Sequence, residues 1–326
     1  MSSSNTLDIV IPAYKARFLP ALLESLADQT SKNFSVIVSD DASPDPIGQI
    51  CREFSQKLPI RYVRFNRNLG AADLAGHWNR SVELSTADWV LLPGDDDVLE
   101  ATCIESFWRT RNTKSQKKSS AVFSFGVRVI DENGRVIREK QPAGATTAVE
   151  FLKKRILDEI YPMTVAYVFS RRRFTECDGF VSFDAGWHSD DATWALFGAK
   201  DGIEPIENTF VQWRVSGINI SPILNRDLSR SAEATMRFLA WLKKSRSILV
   251  LSDSDIAVLA DLIGWNLYWR IADAPAGAWL STAWRASKLL NSCHSKSLAR
   301  HVFRFARERI QRGKRARQRL HGRAVQ

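Results

Sequence analysis

Four times between Leu7 and Leu92 the chain makes a short apolar run, and stretches patterned for helices fall between those runs. Leu7-Asp8-Ile9-Val10-Ile11 comes first and stops at Pro12, and residues 18–28 then carry apolar side chains at helical spacing. Phe34 to Val38 is the second run. It passes into the polar cluster Ser39-Asp40-Asp41-Ala42-Ser43-Pro44-Asp45, which has the chemistry of a loop leading into a helix. Ile60 to Phe65 is the third, residues 70–84 have a helical pattern, and Asp88 to Leu92 is the fourth. Short, nearly continuous apolar runs are what strands buried on both faces require. Strands separated by helices of this length predict a parallel, right-handed, doubly wound α/β sheet.

In such sheets ligands bind beyond the carboxyl ends of the strands. Three polar clusters fall there: Pro12-Ala13-Tyr14, Asp40-Asp41 and Asp95-Asp96-Asp97. After the fourth run the pattern changes. Ala121 to Ile130 predicts a strand, Asp131-Glu132-Asn133-Gly134 a hairpin turn, and Arg135 to Ile137 the return. Residues 146–160 and 191–199 predict helices, and Tyr161 to Ser170 is β-like. Past Ser221 the chain reads as helical throughout. Asp253 is the expected N-cap of a helix through Trp265 and Trp269, and Pro275 and Gly277 mark a break.

Three adjacent carboxylates repel one another, so Asp95-Asp96-Asp97 calls for a compensating cation. Mg²⁺ and Mn²⁺ take hard oxygen ligands and often bridge a carboxylate to substrate phosphates. The same triplet would also serve as a solvated acidic turn at the start of the next helix. Asp190-Asp191 likewise admits two readings, a general base or the cap of a helix starting at Ala192.

The segments IVIPAY, VIVSDDASPD, NLGAADLAGHWNRSVELSTADWVLLPGDDDVL, GWHSDDATWAL and WRVSGINIS resemble, in order, the signature stretches of inverting family 2 glycosyltransferases with the GT-A fold. The resemblance spans roughly residues 6–222 and implies a Rossmann-like, mostly parallel sheet. It divides the chain into a transferase domain over 1–222, a helical extension over 223–284 and a basic tail over 285–326. Within the domain, nucleotide-sugar binding falls to about 1–110 and the acceptor half to about 111–222. Pro12, Ala13 and Tyr14 correspond to the loop against the base, and one of Asp40 and Asp41 to the carboxylate that hydrogen-bonds it. Gly70 and Asn79 match the stretch that closes over the nucleotide. Asp96 corresponds to a ligand of Mg²⁺ or Mn²⁺, Asp95 to a contact with ribose or metal, and Asp97 is the third acid of that motif. Gly94 stands where the motif's first position is commonly acidic. Asp191 is favoured as base, with Asp190 close behind. His188 and Trp187 are candidates to line the acceptor site. Ser216 takes the place of a frequent histidine metal ligand, which leaves Arg214 for the diphosphate or, alternatively, as a structural ion-pair partner.

The net charge of +10 is concentrated at one end. From Arg285 to Arg323 there are 13 Lys or Arg against one acid, Glu308, so residues 1–284 are slightly acidic. That tail, with Val302, Phe303, Phe305 and Ile310 among its arginines, predicts a basic amphipathic surface for an anionic membrane, or a solvated tail. Without a recognised motif, nucleic acid is not an expected partner. The expected partners are a nucleotide-sugar and a glycan or lipid-linked glycan acceptor. The four cysteines form no CxxC pair, and neither a signal peptide nor an apolar run of about 18 residues is seen. The expectation is a cytoplasmic protein, peripheral at the inner face of the membrane. Two other readings are a nucleotidyltransferase, disfavoured by Ile11-Pro12-Ala13-Tyr14 in place of a Gly-rich loop, and a non-enzymatic membrane or polyanion adaptor on a degenerate transferase body.

Overall fold

The computed structural model describes residues 6–114, 120–217, 228–271 and 288. A nine-stranded sheet runs through it. Strands β1 (Leu7–Ala13), β2 (Ser35–Asp40), β3 (Ile60–Arg64) and β4 (Trp89–Leu91) form a parallel half in the order β3-β2-β1-β4. Helices α1 (Leu19–Ala27), α2 (Ile47–Phe54) and α3 (Leu74–Val82) make the crossovers that parallel neighbours need. Ile9, Val10 and Ile11 are fully buried because helices cover both faces of β1. At the sheet edge, β3 leaves Arg61, Tyr62 and Arg64 exposed. Charged side chains on such an edge discourage pairing with another chain.

The other half of the sheet is mixed. Strand β8 (Tyr167–Ser170) runs antiparallel to β4 and to β6 (Val122–Ile130). Strand β9 (Glu204–Arg214) pairs parallel with β6 and antiparallel with the two-residue β5 (Val98–Leu99). Strand β7 (Val136–Lys140) closes the expected hairpin on β6. The doubly wound α/β fold is therefore present, with its parallel strands concentrated in the first half.

Helices α4 (Cys103–Lys114), α5 (Ala148–Ile156), α6 (Arg171–Glu176) and α7 (Ser189–Phe197) complete the body around the sheet, and α8 (Leu228–Lys244) and α9 (Asp253–Ile271) form a helical extension. Trp194 of α7 stacks on Tyr167 at 4.4 Å and meets Phe169, Phe180 and Phe197. The polar tips of this pair find carbonyls: Trp194 Nε1 donates to Pro162 O at 2.8 Å and Tyr167 OH to Tyr161 O at 2.9 Å. A core satisfied in this way holds the start of α7 against the sheet. The extension packs on the body, with Met236, Phe238, Leu239, Leu259 and Ile263 in the same core and Asn266 Nδ2 donating to Ile156 O at 3.0 Å.

Several boundaries differ from expectation. Strand β1 continues through Pro12 to Ala13. Helix α3 starts at Leu74, not at residue 70, because the Asp73 carboxylate caps it by accepting from Gly76 N at 2.9 Å. Helix α7 starts at Ser189, so Asp190 and Asp191 lie within its first turn. At α9, Ser252 and Asp255 form a reciprocal capping box, so the cap falls one residue before Asp253. The break at Pro275 and Gly277 and the basic tail from 285 onward, Lys288 excepted, lie outside the described residues. Among the described residues no helix is long and apolar enough to cross a membrane.

Candidate active site

The carboxyl ends of β1, β2 and β4 are tied into one network. Tyr14 N and Lys15 N, just past β1, both donate to Asp95 Oδ2 at 2.7 Å. Ser43 Oγ donates to Tyr14 O at 2.5 Å, and Ser43 N donates to Asp40 Oδ1 at 2.7 Å. These bonds join the Asp40 loop to the Asp95 turn through Tyr14. Pro12 and Ala13 are the last strand residues, with Ala13 fully buried. Tyr14 alone of the three presents a large exposed apolar surface, at 41%.

The acidic pair after β2 is occupied from within the protein. Asp40 Oδ2 accepts from Tyr62 OH at 2.5 Å and from Arg64 NH1 at 2.6 Å. Asp41 Oδ1 accepts from Leu69 N at 2.9 Å and from Arg80 NH2. Asp41 Oδ2 accepts from Gly70 N at 2.8 Å and Asn68 Nδ2 at 2.9 Å. A carboxylate offers about four acceptor sites, so Asp41 is fully subscribed. In this geometry it organises residues 68–70, and the expected hydrogen bond to a base has no lone pair left on it. A Cβ on Gly70 would sit 2.9 Å from Asp41 Oδ2, which is why glycine suits that close approach. His77 is packed beside the pair, accepting from Arg80 Nε at 3.2 Å. Burial lowers its pKa to about 4 against the pull of the Asp41 charge, so it is neutral. Asn79 departs from expectation in a second way. Its Nδ2 donates to Phe180 O at 3.2 Å and its Oδ1 accepts from Phe180 N at 2.7 Å, so it braces α3 against residues 179–180.

All three acids of the 95–97 turn are buried. Burial and the neighbouring Asp96 charge push Asp95 up to about 6, against the Tyr14 and Lys15 amides. Burial also raises Asp96, opposed by Lys15, Ser216 and Arg214. Asp97 is driven well above the usual carboxylate range by burial and then by the Asp96 charge. Its Oδ2 accepts from Gly94 N at 2.7 Å, while Oδ1 is buried with no hydrogen-bond partner among the described residues. Ser216 Oγ donates to Asp96 Oδ2 at 3.2 Å. Hard oxygens, crowded negative charge and an orphaned buried carboxylate oxygen fit a divalent cation. Among the described residues no group of three or more metal-ligating side chains is assembled. A cation held by one or two of these carboxylates would complete its shell with phosphate and water, as Mg²⁺ usually does.

Arg214 is a structural strut in this arrangement. Its Nε donates to Asp96 O at 3.0 Å and its NH1 to Asp131 O and Glu132 O at 3.1 and 3.2 Å. Its guanidinium lies 4.5 Å from the Phe18 ring centroid. These bonds fasten the acidic turn to the β6–β7 hairpin.

The second acidic pair reaches the same sheet edge by another route. Leu91 pairs with Val168, so the start of β8 lies beside the end of β4. The charges of Asp190 and Asp191 act on Tyr167 of β8. Asp191 Oδ1 accepts from Arg155 Nε at 2.7 Å, and its Oδ2 lies 2.8 Å from His188 Nδ1. Burial pushes Asp191 upward, but Arg155 and His188 outweigh it and hold its carboxyl well below the usual range. Asp190 goes the other way. Burial and then the Asp191 charge lift it to about 7, with Arg155 opposing. Its Oδ1 accepts from Asp191 N at 2.9 Å, and its Oδ2 has no hydrogen-bond partner among the described residues. Arg155 was not anticipated from the sequence, because it lies 36 residues from its partner.

A doubly wound sheet with acidic turns at its carboxyl edge and a second acidic pair at the start of α7 is the arrangement of a GT-A type glycosyltransferase. The chain belongs to glycosyl transferase family 2, whose profile matches residues 8–172. It is similar to an uncharacterized glycosyltransferase of Haemophilus influenzae, 40% identical over 92 residues; the match covers 28% of this chain and 29% of that one. In fold it is similar to S. aureus TarS 1–349, with a TM-score of 0.64 at 15% identity over 87% of this chain and 81% of that one. The same TarS segment has been solved with UDP-GlcNAc. A further likeness is to the mannosyltransferase PcManGT of Pyrobaculum calidifontis, solved with GDP-Man and Mn²⁺. There the TM-score is 0.53 at 15% identity, over 92% of this chain and 84% of that one.

Proposed function

We propose that the chain is an inverting glycosyltransferase that moves a sugar from a nucleotide-sugar, a UDP-sugar foremost, to a hydroxyl of a glycan or lipid-linked acceptor in surface polysaccharide biosynthesis. The observation that carries this reading is the presence of two unlike acidic sites in one GT-A type fold. One, Asp95-Asp96-Asp97, is overloaded with buried negative charge. The other, Asp190-Asp191, separates its members into a fixed anion and a carboxyl that titrates near neutrality.

Asp96, with Asp95 or Asp97, would hold Mg²⁺ or Mn²⁺. When bound, that ion supplies Lewis-acid neutralisation of the leaving nucleoside diphosphate. Tyr14 offers its exposed ring as a platform for the base. The loop at 68–70, drawn in by Asp41, forms the neighbouring wall. Asp190 accepts the proton of the acceptor hydroxyl as that oxygen attacks the anomeric carbon opposite the leaving group. It has the free oxygen and a proton affinity matched to neutral pH. Asp191, pinned between Arg155 and His188, keeps the charge that sets this affinity. Attack from the face opposite the diphosphate inverts the anomeric centre. The basic segment from Arg285 to Arg323 supports a peripheral position at an anionic membrane, where lipid-linked acceptors are found. Family membership supports this reading over a nucleotidyltransferase or a non-enzymatic adaptor.

The test is a thermal-shift panel of UDP, GDP, dTDP and CMP, each with and without Mn²⁺. A metal-dependent rise with one nucleotide, lost in Asp96→Ala and kept in Asp190→Asn, is the expected outcome. No rise with any nucleotide, or an undiminished metal-dependent rise in Asp96→Ala, would sink the assignment.

A further inference from the structure

His188 is where the acidic pair meets the helical extension. Its backbone is left-handed, at φ 61, a conformation that strains a non-glycine residue and persists only where surrounding contacts enforce it. Those contacts are specific. Its Nδ1 lies 2.8 Å from Asp191 Oδ2 and its Nε2 lies 3.0 Å from Thr235 Oγ1 on α8. The ring stacks on Phe238, centroids 4.6 Å apart and planes 7° from parallel. Thr235 and Phe238 are three residues apart and so share one face of α8. Phe238 in turn stacks on Trp241 at 5.9 Å. Asp191 is anionic and can only accept, so Nδ1 carries the hydrogen and Thr235 addresses the other nitrogen.

We infer that His188 is a positioning residue for the Asp190–Asp191 pair, and that α8, through Thr235 and Phe238, is a working part of the active site. The inference rests on reading that pair as the base. His188 and Asp191 border a cleft of about 220 Å³ between α5, α7 and the extension. The charged groups that border this cleft with the histidine are Arg155 and Asp158 at α5 and Asp191 on α7. Helix α8 presents Thr235 and Phe238 there, and α9 presents Ile263 and Asn266, all without charge. The extension therefore acts on the pair through one orienting hydrogen bond and one stacked ring. With the ring held, Asp191 keeps its second donor and stays the fixed anion. With the ring released, Asp191 gains proton affinity and competes with Asp190 for the proton.

The experiment uses the full chain labelled with ¹³C at aspartate carboxyls and read at pH 7, where Asp191 is ionised. The variants are Thr235→Val, His188→Gly and His188→Asn. Glycine accepts the left-handed backbone without a ring, and asparagine tolerates it while restoring a donor toward Asp191. Loss of one charge-assisted hydrogen bond should shift the Asp191 carboxylate resonance in Thr235→Val and His188→Gly, with recovery toward the wild-type position in His188→Asn. Turnover of the nucleotide-sugar identified by the thermal-shift panel should fall at least about tenfold in the first two variants, while the nucleotide-induced thermal shift stays unchanged. An unmoved Asp191 resonance in folded Thr235→Val and His188→Gly would overturn the linkage. A moved resonance with unchanged turnover would remove the base assignment, and with it the catalytic meaning of the linkage.

Discussion

Arg155→Met tests the electrostatic logic of the second acidic pair directly. Methionine keeps much of the apolar stem and removes only the guanidinium. The lost contact is the 2.7 Å bond from Nε to Asp191 Oδ1, between side chains 27% and 7% exposed. Orphaning one member of a buried ion pair costs about 3–5 kcal/mol, and the partial exposure of Arg155 places this case near about 3 kcal/mol. At roughly 2.1 cal/mol/K per residue, a chain this long unfolds with an entropy near 0.7 kcal/mol/K, so Tm should drop by about 4 °C at pH 7.5. In the native protein Asp191 is held below its ordinary value, so its ion pair contributes stability above that value and loses it as pH falls through the folded pKa. In the variant, burial acts against His188 alone and lifts Asp191. Its penalty then builds as pH rises from the unfolded carboxyl's value, about 4, toward the lifted native one. The gap between wild type and variant should shrink to under about 2 °C at pH 5. Melting curves of both proteins from pH 4.5 to 8.5 decide the matter. A gap that is constant across that range would show that Arg155 contributes packing and not charge.

Three further outcomes follow from the same geometry. Asn79→Ala should lower Tm by about 2–3 °C, for two hydrogen bonds worth about 1 kcal/mol each, and leave the nucleotide-induced thermal shift unchanged; a lost shift would return Asn79 to the nucleotide site. Gly179→Ala should destabilise by more than about 1 kcal/mol, because φ is +82 and a Cβ would lie 2.7 Å from Asn79 Oδ1; a wild-type melting curve would refute the brace. Asp190→Asn should raise Tm by an amount that grows from about pH 4 to about pH 7 and levels off above, since an unfolded aspartate ionises at about 4 while the native carboxyl is held up to about 7. A gain of the same size at pH 5 would place the effect elsewhere.

The parallel half of the fold was legible because strands buried on both faces leave unbroken apolar runs. Strand β9 was not, and its burial explains why. Along Glu204–Arg214 buried and exposed residues follow no period of two, Asn208 turns left-handed at φ 56, and pairing with β6 slips between Ser124 and Gly126. Strand β5 has two residues and α6 six, too short for any periodic signal. Helix α4 could have been found, because Cys103, Ile104, Phe107 and Trp108 are buried at helical spacing.

The site was legible as residue types and illegible as lone pairs. Asp40-Asp41, Asp95-Asp96-Asp97 and Asp190-Asp191 look alike in sequence, yet the fold gives them three fates. Asp41 is saturated by donors from residues 68–70 and from Arg80. The 95–97 turn is left with buried charge and an orphaned oxygen, its nearby cations being Lys15 and Arg214. The 190–191 pair is split by Arg155 and His188 into an anion and a proton acceptor. Apart from His188, three residues from Asp191, the partners that decide between these outcomes lie between 27 and 47 residues away within the Asp41 and His188 clusters, and farther still at Ser216 and Asp96. No local pattern carries that information. A carboxylate takes its chemistry from whichever donors the tertiary fold brings to it. It follows that an acid whose acceptor sites are already filled from within the protein, such as Asp41, shapes the pocket, and that acids with an oxygen left over, Asp97 and Asp190, are where a cation or a proton can be received.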